Sequence, residues 1–136
     1  MAGGNPGWYT RRLLDWAFPE GLGGRPADAD SLARLFATPL TILAGDQDTE
    51  TNDPHLPSEP AALRQGPHRY ARALHYFATA QAEAARRGLP FRWQLHTVEG
   101  IGHDGEAMSA VCAHLWFHQR MPSAAQLAAL AGRRTA

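Results

Sequence analysis

Apolar positions along the chain fall into two short runs and several helix-periodic stretches. Leu40-Thr41-Ile42-Leu43-Ala44 follows Pro39 and is closed by Gly45 and Asp46. A run that does not alternate predicts a strand covered on both faces, as in a parallel sheet. Phe91 to Val98, entered from Pro90, predicts a second strand. Between them Tyr70, Ala73, Leu74, Phe77, Ala80 and Ala84 recur with helical spacing. The spacing predicts a long helix with Gly66-Pro67 at its start, Pro in the first position, and Gly88 stopping it after Arg86 and Arg87. A shorter helix is predicted from a cap at Asp28 to about Ala37, with Leu32, Leu35 and Phe36 inward and Thr38-Pro39 ending it. Met108, Val111, Cys112 and Leu115 mark one face of a later helix, and Ser123 caps an alanine-rich one from about Ala124 to Ala131. Residues 49–66, with Pro54, Pro57 and Pro60, read as a long polar loop.

A strand–helix–strand unit pairs its strands in parallel through a right-handed crossover. Both carboxyl ends then face one edge, where open α/β sheets collect ligands and catalytic groups. Asp48 lies just past the first strand, after a Gly45 expected to turn the chain. His103, within Gly100-Ile101-Gly102-His103-Asp104-Gly105, lies just past the second. The fold class is therefore α/β: a parallel strand–helix–strand–helix arrangement. An imidazole that acts as a general base needs a group that fixes its tautomer and stabilises its cation, and a carboxylate on the neighbouring strand end can do both.

Composition narrows the function classes. The 136 residues are 44% hydrophobic and 19% charged, which is globular. Thirteen basic and thirteen acidic residues give a formal net charge of zero, so nothing draws the chain to nucleic acid or an anionic membrane. No apolar run is long enough to span a bilayer. The start of the chain has neither a basic n-region nor an apolar h-region, so a compartment other than the cytoplasm would need a leader ahead of Met1. Cys112 is the one cysteine, which excludes an internal disulfide and a Cys-based metal site. An EF-hand loop from Asp46 would need Gly at 51 and Glu at 57, where Thr51 and Pro57 stand. His114 and His118 are one helical turn apart, but without a His-Glu-x-x-His pattern. They, and His68 with His75, read as solvated or partly packed pairs; His96 reads as a structural mid-strand residue. Arg64, Arg69, Arg72, Arg86 and Arg87 read as a solvated helix flank. No cofactor and no metal is implied.

"PLTILAGDQD" and "VEGIGHDG" resemble the acid-bearing strand and the histidine loop of the α/β-hydrolase family, in its C-terminal third. The span from about Asn5 to Phe117 is similar to bacterial esterases and polyhydroxyalkanoate-depolymerase-like hydrolases, in which an "NPGWYT"-like segment follows the strand after the nucleophile. The resemblance implies Asp48 as triad acid and His103 as triad histidine, acting on a small-molecule ester in the parent enzyme. The family's order is nucleophile, acid, histidine, with the nucleophile on a Gly-x-Ser-x-Gly elbow. None of Ser31, Ser58, Ser109 and Ser123 has that context, and Cys112 falls on a helix face.

The order rule puts the nucleophile ahead of Met1, so the chain is expected to be inactive alone. Its expected partner is a missing N-terminal half, or a second copy bound through the sheet edge that such a half would cover. Residues 1–121 are read as the partial hydrolase domain and 122–136 as a short helix with a basic tail. The other reading is a non-catalytic partial α/β domain that binds a partner through the aromatic N-terminal loop, with Trp8, Tyr9, Trp16 and Phe18 as anchors.

Overall fold

The computed structural model describes residues 6–133 and the backbone of Ala2 and Gly3. Asn5 of the N-terminal motif and Arg134 of the basic tail lie outside the described residues. The elements are β1 (Ala2–Gly3), α1 (Ala29–Ala37), β2 (Leu40–Gly45), α2 (Pro60–Leu63), α3 (Arg69–Arg86), β3 (Trp93–Val98), α4 (Gly105–His118) and α5 (Ala124–Gly132). β2 is central in a parallel sheet of order β1-β2-β3. The β2–β3 register runs from Leu40 opposite Trp93 to Gly45 opposite Val98. The two strand ends are thus level, with both carboxyl termini on one edge.

The sheet is covered on both faces, as the unbroken apolar run of β2 requires. On one face Ile42 and Ala44 pack with Leu32 and Phe36 of α1 and with Ala73, Tyr76, Ala80 and Ala84 of α3. Rings dominate this layer: Phe36 meets Trp93 edge-on at 5.7 Å, and Tyr9 stacks on Tyr76 at 4.3 Å. The Trp93 indole N–H donates to the Leu35 carbonyl at 3.0 Å, so the buried ring keeps its polar group satisfied. On the other face Leu43, Val98 and Ile101 pack with Ala107 and Val111 of α4 and Leu127 of α5.

Caps set the helix ends. Asp28, Asp104 and Ser123 cap α1, α4 and α5, and α5 carries a full capping box with Gln126. Gly88 stands past the end of α3 with φ +65, a conformation open to glycine without strain.

Several local readings are corrected. α3 begins at Arg69 rather than at Pro67, because the His68 imidazole is its cap and accepts from Ala71 N at 3.1 Å. The 49–66 segment contains the short helix α2. β3 starts at Trp93, since Phe91 is taken up in ring contacts with Phe36 and Phe77 and Arg92 N donates to the Phe36 carbonyl. The edge of β2 expected to be bare is met by Ala2 and Gly3, which pair with Thr41 and Ile42.

The inner face of α3 is also offset from the apolar periodicity. Arg69, Arg72 and Glu83 are buried on it beside Ala73, Tyr76, Ala80 and Ala84. Arg69 reaches Asp53 at 2.9 Å, and Glu83 receives Arg86 and Arg87, each at 2.6 Å. Buried polar groups that are satisfied can share a core face with apolar ones.

Two stability predictions follow from the α1–α3 layer. Phe36 is fully buried. Phe36→Ala is expected to lower unfolding stability by about 3–5 kcal/mol, read from the urea midpoint at constant m; a loss below about 1 kcal/mol would mean that the ring cluster is not the core.

His75 has a buried Nε2 with no hydrogen-bond partner among the described residues. Burial first, and Arg11 second, hold its imidazole below the ordinary value of 6.5. The unfolded chain therefore binds the proton first. The stability tied to the neutral ring is complete above the ordinary imidazole range and is lost as pH falls below it. Unfolding midpoints at neutral and mildly acidic pH should fall further in the wild type than in His75→Gln; an equal fall in both would remove His75 as the cause.

Candidate active site

The site is built from loops that leave the carboxyl edge of β2 and β3. Asp48 lies in the turn after β2, where its N–H donates to the Gly45 carbonyl at 3.1 Å. Its side chain is almost wholly buried, at 2% exposure, and Oδ2 lies 3.1 Å from Nδ1 of His103. The His103 side chain is 56% exposed. One ring nitrogen thus faces a buried carboxylate while the ring stands open at the sheet edge. With Asp48 as a carboxylate, which only accepts, Nδ1 is the donor and Nε2 is the nitrogen able to take a proton.

Backbone and side-chain bonds fasten the two loops together. Asp46 N donates to the Val98 carbonyl at 3.2 Å and Gln47 N to the Ile101 carbonyl at 3.0 Å. The Asp46 carboxylate accepts from Gly100 N at 2.9 Å. The two acids of the turn therefore face different partners: Asp46 holds the backbone of the histidine loop, and Asp48 meets the ring. Gly45 is needed for close approach rather than for a sharp turn. Its φ is not positive, but a Cβ there would collide with the Ile101 carbonyl oxygen. Asp104, next to His103, caps α4 through Ala107 N at 3.1 Å and so fixes where the histidine loop ends.

The first turn of α3 holds the other side of the edge. Tyr70 N donates to the Asp48 carbonyl at 3.0 Å. The Arg69–Asp53 pair ties down the loop that follows Asp48. Arg72, fully buried, donates through Nη1 to the Gly7 carbonyl at 2.6 Å and through Nε to the Gly66 carbonyl at 2.9 Å. Burial is the main influence holding its guanidinium below its usual range. Gln65, 2% exposed, accepts from Tyr9 N at 2.9 Å and donates to the Tyr9 carbonyl at 2.5 Å.

Arg69 and Arg72 are thus positioned inside the protein, which corrects their reading as a solvated flank. Gln65 and Arg72 are organisers that the apolar periodicity of the chain does not reveal. The one available signal was that Arg69, Arg72 and Tyr76 share a helical phase.

The remaining candidates stand apart from the pair. The His114 and His118 rings are 4.5 Å apart on α4, and no group of three or more His, Cys, Asp or Glu able to hold a metal occurs among the described residues. Cys112 packs in the α4 layer, and burial raises its thiol. Two grooves between α4 and α5 are lined by Ala110, Leu130 and Arg133, one also by Asp104 and Glu106, the other by His114; neither is lined by Asp48 or His103. Among the described residues no helix is long and apolar enough to cross a membrane.

No protein-family model matches the chain, and no curated protein does. Solved structures do. The chain superposes on LpqC, a poly(3-hydroxybutyrate) depolymerase from Bordetella parapertussis, with a TM-score of 0.90 and 65% identity, over 95% of this chain and 43% of that one. Poly(aspartic acid) hydrolase-1 from Sphingomonas sp. KT-1 is similar with a TM-score of 0.81 and 36% identity, over 84% of this chain and 43% of that one. The chain therefore spans less than half the length of either neighbour. With its parallel sheet and its helices on both faces, it is of the α/β-hydrolase type and makes up a partial domain of that fold.

Proposed function

We propose that this chain supplies the acid and the histidine of a serine-type ester hydrolase whose nucleophile and oxyanion hole come from a part of the protein outside it. His103 is the general base that takes the serine proton through Nε2 and then returns it to the leaving alcohol. Asp48 holds the ring through Nδ1 and stabilises the imidazolium. The observation that carries this reading is the 3.1 Å contact between a buried carboxylate and an exposed imidazole at one sheet edge. The substrate class is an ester of a hydroxyalkanoate kind, by analogy with the neighbour at 65% identity, whose named polymer is a polyester. No cofactor enters the mechanism.

On this reading the isolated chain does not hydrolyse esters. It has no hydroxyl on a Gly-x-Ser-x-Gly elbow, and without one the imidazole has nothing to activate. The test joins the chain to the part of the Bordetella parapertussis depolymerase that it does not cover and follows p-nitrophenyl butyrate hydrolysis. The isolated chain is expected to stay at background and the joined protein to turn over. In the joined protein His103→Ala should cost about 10⁶-fold in kcat, because base and nucleophile act as one unit. Asp48→Asn should cost about 10⁴-fold, because it misplaces a tautomer and does not remove the base. Turnover by a folded joined protein that is indifferent to His103→Ala would reject the reading.

A further inference from the structure

β1 runs parallel to β2, so the chain leaving β1 emerges at the edge that carries Asp48 and His103. Gly7 lies against Pro57 of the loop that follows Asp48, and Gly7 and Tyr9, on either side of Trp8, are bonded to Arg72 and Gln65. This segment is held more firmly than a surface loop requires. Arg72 binds the carbonyl before Trp8, and Gln65 binds both backbone groups of the residue after it. Both side chains are almost wholly buried, and Arg72 has no carboxylate within ion-pair reach among the described residues. A buried cation without an ion-pair partner is costly, and Arg72 offsets part of that cost through the carbonyls of Gly7 and Gly66.

Two further contacts fix where the segment lies. A Cβ at Gly7 would stand 2.9 Å from Cγ of Pro57, so the backbone presses on the loop that follows Asp48. The Tyr9 ring is stacked on Tyr76, and its phenol is held above its usual range by burial, then by Tyr76, then by the charge of Asp48. What lies between the two clamps is Trp8, a large apolar ring that is only half-buried.

We propose that Trp8 is the substrate-contacting wall of the ester site, held beside the Asp48–His103 pair by the Arg72 and Gln65 clamps, and that it binds the apolar part of the acyl chain. The proposal rests on the hydrolase reading above. A wall of this kind discriminates by acyl length: it does little for an acetyl group and more with each methylene that reaches the ring. Arg72 and Gln65 are positioning residues in this account, since they touch backbone and not substrate.

The test uses the joined protein and compares kcat/KM for p-nitrophenyl acetate and p-nitrophenyl butyrate in Trp8→Ala and Trp8→Phe. The butyrate-to-acetate ratio should fall by about tenfold in Trp8→Ala, mainly through KM, and stay within about threefold of wild type in Trp8→Phe. The ratio does not depend on how much of a variant is folded, because lost enzyme scales both rates alike. A ratio unchanged in Trp8→Ala overturns the proposal while leaving the hydrolase reading intact, provided that His103→Ala still abolishes turnover. Turnover indifferent to His103→Ala overturns both.

Discussion

Parallel pairing of β2 with β3 is the constraint on which the rest depends. Asp48 and His103 are 55 positions apart in sequence, and nothing local brings them together. They meet because two six-residue strands lie level, rung against rung, and because a helix between them returns the chain to the same starting edge. A slip of one residue would exchange the two faces of β2 and set Leu43 against the aromatic layer in place of Ile42 and Ala44. The site is therefore specified by the same apolar contacts that specify the fold. Gly45 shows the coupling at its closest: its missing side chain makes room for the Ile101 carbonyl, and that approach brings the histidine loop down beside the Asp48 turn.

The first turn of α3 is the second fixed point. Within a few residues it bonds the Asp48 backbone, pairs with Asp53 and clamps Gly7. Three loops at one edge are thus referred to a single rigid element, and a catalytic arrangement gains accuracy from such support. The helix carries an unusual burden of buried polar groups for this purpose. Each guanidinium nitrogen that meets a carbonyl or a carboxylate offsets part of the desolvation of its residue.

Much of this was legible in the sequence because strand, helix and cap signals are local. The unbroken run Leu40–Ala44, the caps at Asp28 and Ser123 and the stop at Gly88 each rest on chemistry within a few residues, and each lies where that chemistry puts it. The meeting of Asp48 and His103 in space was legible too, since it follows from the parallel pairing of two strands joined through a helix. What escaped was non-local. The burial of Arg72 depends on carbonyls at Gly7 and Gly66, and no periodicity announces them. His68 displaced Pro67 as the start of α3 because its imidazole could accept from Ala71 N, a choice that helix-start statistics for proline do not foresee. Gly45 was expected to turn the chain sharply, yet it matters for the space beside it.

The account turns on one bond, from His103 Nδ1 to the Asp48 carboxylate, and the tautomer of the ring reports it directly. A long-range ¹H–¹⁵N correlation spectrum, recorded where the imidazole is neutral, distinguishes a proton on Nδ1 from one on Nε2. The wild-type chain should show the Nδ1–H form, and Asp48→Ala should shift it toward the Nε2–H form. A wild-type ring already protonated on Nε2, or a ring whose tautomer ignores the loss of Asp48, would contradict this.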